Sequence, residues 1–356
     1  MTTRVIQFST GNVGRHALRQ LIERPEFELV GVHASGADKI GRDAAELCGL
    51  DRPTGVVATD DVAALVALGA DCVVYASQAE TRPLDALAEL TAFLAAGTDV
   101  VATSPVWLVY PPHADRWLSD PLAEACRVGA TTMYVNGVDP GFSGDLLPLA
   151  ALSLTARADS VLVQEICDYG SYDDAEFTGV SFGFGTDPGH VPVLFLPGVL
   201  TSIWGGPVRL LADELGVELE ELRERYEAWV ATDPIECTMM RVEPGRVAAV
   251  RFAVEGIVGG RSAIVMEHVN RLTAAAAPDW PAAPEGRPGV HRVVVTGSPG
   301  VEINTHLGLD GVDHNVAGVL ATAAKAVNAI PAVCAAPPGL VSLRDLPVSQ
   351  VRGLLG

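Results

Sequence analysis

Arg4-Val5-Ile6-Gln7-Phe8-Ser9-Thr10-Gly11-Asn12-Val13-Gly14-Arg15 carries a short apolar strand through a glycine turn into a helix, and the fold follows from how this stretch is read. A βα turn of this kind aims backbone N–H groups and the positive end of a helix dipole at a pyrophosphate, and it needs glycine where the chain approaches the ligand closely. Gly11 and Gly14 fill the second and third glycine positions of the G-x-G-x-x-G spacing, and Ser9 stands at the first. Val13, Ala17, Leu18, Leu21 and Ile22 then recur at helical spacing. An imperfect fingerprint is weak alone, but a strand before it and a helix after it are the context the motif requires. Ser9, Thr10, Gly11, Asn12, Val13 and Gly14 are therefore expected to bind a dinucleotide, against the alternative of a purely structural turn.

Downstream, apolar strands at 5–8, 29–32, 56–58, 72–76, 100–103 and 131–135 alternate with helical patterns, which means a parallel sheet with crossover helices. One helix starts near Thr81-Arg82-Pro83, with proline in its first turn, and stops at Gly97. The turn-rich Gly137-Val138-Asp139-Pro140-Gly141-Phe142 reads as the exit from this first domain. A helix at 145–156 and a strand at 160–166 follow. The Gly-, Pro- and aromatic-rich stretch 179–206 is a candidate pocket wall, with a packed loop as the alternative. The acidic segment 217–229 has a helical pattern whose glutamates read as a solvated face. From 235 to 305 the period becomes two, the mark of a mainly antiparallel sheet, whose open face is commonly covered by a twin subunit. A homodimer is the expectation. The last helical pattern, 316–327, is expected to pack back on the first domain. The predicted domains are 1–140, 141–312 and 313–356.

With 356 residues, 49% of them hydrophobic, the chain has ample apolar content for real cores. A net charge of −20, with Lys39 and Lys325 as the only lysines, argues against nucleic acid, because phosphate backbones are bound by clustered positive charge. No run approaches 18 uninterrupted apolar residues and the N-terminus enters a strand directly, so no membrane association and a cytoplasmic location are expected. Six cysteines without a C-x-x-C pair read as reduced, mostly buried thiols, and no metal site is predicted.

At the end of the second strand a site for NADH would usually place Asp or Glu on the ribose 2′-OH. Gly31-Val32-His33-Ala34-Ser35 has neither, whereas His33, Ser35 and Lys39 offer donors to a 2′-phosphate, which favours NADPH over NADH. Ser77, Thr103 and Ser104 lie at the carboxyl ends of later strands, where an open α/β sheet holds the nicotinamide half.

Taken together, Ser9–Gly14, Ile40-Gly41-Arg42-Asp43, the Gly137–Phe142 crossover with Asp145 behind it, and Val327-Asn328-Ala329-Ile330-Pro331 followed by Pro338-Gly339-Leu340 resemble the dihydrodipicolinate reductase-like proteins. Within that group the chain is most similar to the 2,4-diaminopentanoate dehydrogenase and native amine dehydrogenase family, over nearly its whole length. The resemblance implies an α/β architecture: an N-terminal Rossmann domain and a second α+β domain built on a largely antiparallel sheet that forms a dimer. It also implies NAD(P)H-dependent reductive amination of a ketone or aldehyde, and it adds Asn328 to the cofactor residues.

One departure stands out. The family is expected to carry a catalytic glutamate at or beside Pro105, and Ser104-Pro105-Val106-Trp107-Leu108-Val109-Tyr110 contains no acid. Reductive amination needs protons moved off ammonium and onto a departing hydroxyl. Asp139, Glu165 and Tyr169 are the substitute candidates, each with a structural alternative, and Trp107, Phe142, Tyr172 and Trp204 are the pocket candidates. The sequence thus supports an oxidoreductase reducing a C=O or C=N bond of a small apolar ketone, aldehyde or imine, with ammonia as co-substrate if the reaction is an amination. An ammonia-independent imine or carbonyl reductase and a non-catalytic dinucleotide sensor remain as alternatives.

Overall fold

Thr3–Phe8 forms β1, with Val5, Ile6 and Phe8 wholly buried, and Gly11 caps the helix that follows. The computed structural model describes residues 2–352. Along the chain come β1, α1 (Asn12–Glu23), β2 (Phe27–His33), α2 (Ala44–Leu47), β3 (Ala58–Thr59), α3 (Val62–Val66), β4 (Cys72–Tyr75), α4 (Pro83–Ala95), β5 (Asp99–Ala102), α5 (Arg116–Gly129) and β6 (Thr132–Val135). Then follow α6 (Leu146–Leu152), β7 (Arg157–Asp168), α7 (Ala175–Phe182), α8 (Val199–Leu215), β8 (Glu221–Val230), β9 (Ile235–Glu236), β10 (Arg241–Val242), β11 (Val247–Val258), β12 (Arg261–Arg271), β13 (Gly289–Ser298) and β14 (Val301–Thr305). The last elements are α9 (His314–Val333) and β15 (Gly339–Val341). Two compact units result, one of residues up to Val138 with those from Val319 onward, the other Asp139–Gly318.

In the first unit seven parallel strands stand in the order β15-β6-β5-β4-β1-β2-β3. The order reverses between β1 and β4, and such a switch point is where a doubly wound sheet opens a crevice for a dinucleotide. Leu90, Phe93 and Leu94 of α4 and Leu118 and Leu122 of α5 share a core with Val73 and Val100. Ala323, Ala326, Val327, Ile330 and Val333 of α9 share another with Val5, Val74 and Val101. By length and composition α9 resembles a membrane span; its second half is engaged in this core, while Val316 and Leu320 are exposed.

In the second unit six strands stand in the order β14-β13-β7-β12-β11-β8. Only β7 and β12 pair in parallel; the other neighbours are antiparallel. Register lines up His291, Glu165, His268, Phe252 and Tyr226 in one row across five strands. α8 covers that face, with the Trp204 ring 5.1 Å from Phe252 and 4.5 Å from His268.

Residues 217–229 correct the helical expectation, since Glu221–Val230 is the edge strand β8, paired over its length with β11. Glu, Leu and Arg are good helix formers, but the preference is worth only on the order of tenths of a kcal/mol per residue, and a long partner strand overrides it. The charges are accordingly not one solvated helix face. Arg225 pairs with Glu255, Glu227 with Arg251 at 3.2 Å, and Glu224 accepts from the Gly198 and Thr201 N–H groups at 3.0 and 2.6 Å, at the start of α8. The stretch 179–206 is likewise not one loop: it holds the end of α7 and the first turns of α8.

Candidate active site

The glycine turn has the features of a phosphate cradle. Gly11 is the N-cap of α1 without a side-chain cap, and no acidic residue occupies the first turn, so the first N–H groups of the helix are left for an anion. A Cβ on Gly11 would find only Ser9 Oγ, at 3.8 Å, so the protein itself does not demand glycine there. A closely approaching ligand does. A Cβ on Gly14 would lie 2.2 Å from the Ser9 carbonyl oxygen, so Gly14 serves the close packing of helix on strand. Ser9 adopts φ 80°, the left-handed conformation usually left to glycine at this position. These residues fit NAD(P).

Lys39 donates from Nζ to the Thr10 carbonyl at 3.2 Å, bringing a cation to the turn, and Ser35 is exposed at the end of β2. His33 is placed differently. Its ring stacks on Phe8 at 3.9 Å, and burial holds its pKa below the ordinary value, so near neutral pH it brings no positive charge to a phosphate. Asn328 Oδ1 accepts from Arg24 at 2.6 Å, just beyond the C-terminal end of α1. Ser77 accepts from Arg82 at 3.1 Å, and Thr103 and Ser104 lie just past the end of β5.

The second unit gathers the acids. Asp139 Oδ1 accepts from Trp204 Nε1 at 2.6 Å and Oδ2 from Ser143 Oγ at 2.8 Å. His268 Nε2 stands 3.2 Å from the same Oδ2, an ion-pair contact without hydrogen-bond alignment. The His268 ring is stacked flat on Phe252 at 4.6 Å. On its other side in the sheet row, Glu165 Oε2 is 3.8 Å from His291 Nδ1.

Burial pushes the Asp139 carboxyl up, but His268 and the Trp204 hydrogen bond outweigh it and hold the group at about 2. Burial and the Asp139 charge raise Glu165 to about 7, against a smaller opposing effect of His268. Burial lowers His268, yet Asp139 and then Glu165 more than offset it and leave the imidazole above its ordinary value. His291 is lowered by burial. Two carboxyl groups pushed apart in this way are the mark of an acid and base assignment. One ligating atom each of Asp139, Glu165 and His268 lie within 4.8 Å of one another, close enough for a metal. Both Asp139 oxygens already accept hydrogen bonds.

Of the predicted residues, Asp139, Glu165 and Trp204 come together here. Tyr169 and Tyr172 meet edge-on at 5.4 Å, and Tyr169 adjoins Phe182 and Phe184, where burial raises its phenol and keeps it neutral. Phe142 is half-buried three residues after Asp139. Trp107 instead belongs to the first unit, edge-on to Trp117 at 6.2 Å. His268, which the alternation alone reads as an ordinary sheet residue, and His291 and Ser143 are the members sequence reasoning missed. Even spacing put Glu165 and His268 on inward positions of their own strands, but only the β7–β12 register makes them neighbours.

A switch-point parallel sheet with an open helix N-terminus at its glycine turn defines the class, an NAD(P)-dependent dehydrogenase. Residues 203–353 match the 2,4-diaminopentanoate dehydrogenase C-terminal domain. An amine dehydrogenase of Streptomyces virginiae is 37% identical over 352 residues, covering 99% of this chain and 98% of that protein. The 2,4-diaminopentanoate dehydrogenase of Acetoanaerobium sticklandii is 22% identical, covering 99% and 95%. Among solved structures, the amine dehydrogenase of Mycobacterium smegmatis superposes with a TM-score of 0.79 at 19% identity, covering 99% and 98%. The chain belongs to the amine dehydrogenase family. It is an NAD(P)H-dependent oxidoreductase.

Proposed function

We propose that this enzyme catalyses the NADPH-dependent reductive amination of a small, largely apolar ketone or aldehyde, with ammonia as co-substrate and Asp139, His268 and Glu165 handling the protons. The observation that carries this reading is Glu165, raised to about 7 beside an Asp139 held at about 2. Condensing ammonia with a carbonyl requires a group that takes a proton from ammonium and another that returns one to the departing hydroxyl. A carboxyl titrating near neutrality serves both directions. Asp139 keeps its charge and shifts His268 toward its protonated form, and the aromatic rings around the pair limit water. The cofactor, when bound, supplies the hydride. Tyr169, Tyr172, Trp204 and Phe142 are proposed to line the pocket for the carbonyl substrate.

Lys39 at the Thr10 carbonyl, with no acid at the end of β2 through Ala37, supports NADPH over NADH. The sheet face opposite the acid row supports a homodimer. It carries Arg292, Gln164, Glu267, Ala253 and Arg225 across five strands, and all of these but Ala253 line a concavity of about 580 Å³. A cytoplasmic location agrees with the free state of all six cysteines.

The test is NADPH oxidation with a panel of ketones and aldehydes, with and without ammonium. Turnover that needs ammonium is expected. Ammonium-independent turnover would make the enzyme a carbonyl or imine reductase, and NADPH binding without turnover on any ketone, aldehyde or preformed imine would make it a sensor.

A further inference from the structure

The segment Ser104–Tyr110 has no acid of its own, yet a carboxylate is seated in it. Glu80, from the loop that follows β4, accepts from Ser104 Oγ at 2.7 Å through Oε2 and from the Val106 N–H at 2.8 Å through Oε1. The Ser104 hydroxyl in turn accepts from the Ala79 N–H at 2.8 Å. These three hydrogen bonds tie the loop after β4 to the loop after β5. Both loops leave the carboxyl ends of strands on the β4-β5-β6 side of the switch point, the half of a doubly wound sheet that receives the second nucleotide of a dinucleotide. For NAD(P) with its pyrophosphate at the Gly11 turn, that nucleotide is the nicotinamide one.

The donor and acceptor roles around Ser104 are determined by its partners. A backbone N–H only donates and a carboxylate only accepts, so the single proton of the Ser104 hydroxyl is committed to Glu80. Toward any third group the hydroxyl is an acceptor. The matching ligand group is an N–H donor, which the carboxamide of nicotinamide presents. Ser104 is only 6% exposed, so its hydroxyl cannot trade these partners freely for water.

We infer that Glu80 is a positioning residue for the nicotinamide end of the cofactor, acting through Ser104 and the 104–106 loop. The inference rests on the NAD(P)H dependence of the family and is independent of whether ammonia is a substrate.

The experiment compares wild type with Glu80→Ala, Glu80→Gln and Ser104→Ala by calorimetric titration. Each is titrated with NADP+ or NAD+, whichever the wild type binds more tightly, and with the corresponding nicotinamide-free fragment, 2′-phospho-ADP-ribose or ADP-ribose. Glu80→Ala and Ser104→Ala are expected to weaken the whole cofactor at least tenfold and the fragment less than twofold. Glu80→Gln keeps an acceptor for the Val106 N–H but turns an amide donor on Ser104, and it is expected to weaken the whole cofactor at least threefold with the fragment unchanged. Should Glu80→Ala not fold, Glu80→Gln carries the same comparison. Whole-cofactor affinity within twofold of wild type in the Glu80 variants, or parallel loss for cofactor and fragment, overturns the inference.

Discussion

Gly11 and Gly14 differ in what a methyl group would meet, and the difference separates binding from packing. Gly14→Ala places a Cβ against the Ser9 carbonyl and is expected to cost about 1–3 kcal/mol of stability, read by denaturant unfolding. Gly11→Ala meets only Ser9 Oγ at 3.8 Å and is expected to lose less than about 1 kcal/mol, chiefly as a poorer cap, while NADPH affinity falls at least tenfold by titration. If Gly11→Ala left cofactor affinity intact, the turn would not be the pyrophosphate site. At Glu165 the expected signature is a pH profile. The kcat/KM of wild type is expected to show an ionisation near 7, and Glu165→Gln to abolish it while lowering kcat by about two orders of magnitude. The sign for stability follows from the same shift. Because the fold favours the neutral carboxyl, this contribution is complete below the ordinary value of 4.5 and is lost as pH rises through about 7. Across pH 4 to 8 the unfolding free energy of wild type is therefore expected to fall relative to that of Glu165→Gln as pH rises, with the variant flatter. Asp139 works in the opposite direction: its contribution is present above the ordinary value of 3.8 and is lost as pH falls through about 2.

Among the elements, the ones with strong local periodicity were legible. The βα alternation of the first unit, the proline-started α4 and the late helix α9 all follow from spacing that a chain shows without its partners. β8 did not, because its glutamates, arginines and leucine are helix formers and only β11 makes them a strand. Its Glu224 then takes on a task no local pattern announces, accepting from two N–H groups at the start of α8. Glu224→Ala is expected to lower stability by about 1 kcal/mol, measured as a reduced denaturant midpoint with unchanged slope. A midpoint equal to wild type would show that water replaces the carboxylate without loss. The site followed the same division. Asp139 and Glu165 were legible as acids in a turn and at the end of a strand. His268 and His291 were not, because their membership depends on which strands pair and in which register.

For the molecule as a whole, the net charge of −20 and the polar sheet face bear on assembly. Leu162 and Val265 are apolar residues among the arginines and glutamates of the concave face, and the homodimer proposed above would cover them. Sedimentation is expected to give twice the chain mass of 37.2 kDa for wild type and the single chain mass for a Leu162→Asp, Val265→Asp double variant. A wild type that sediments as a single chain at micromolar concentration would refute the dimer. The amino-acid sequence alone determined the glycine turn, the parallel alternation, the antiparallel second sheet and the family, because glycine geometry and hydrophobic period act over a few residues. Only the tertiary structure decided that Glu80 enters an acid-free loop, that Asn328 accepts from Arg24, and that Glu165 stands between two histidines. Those relations join residues far apart in the chain, and strand order, register and burial create both the contacts and the shifted acidities.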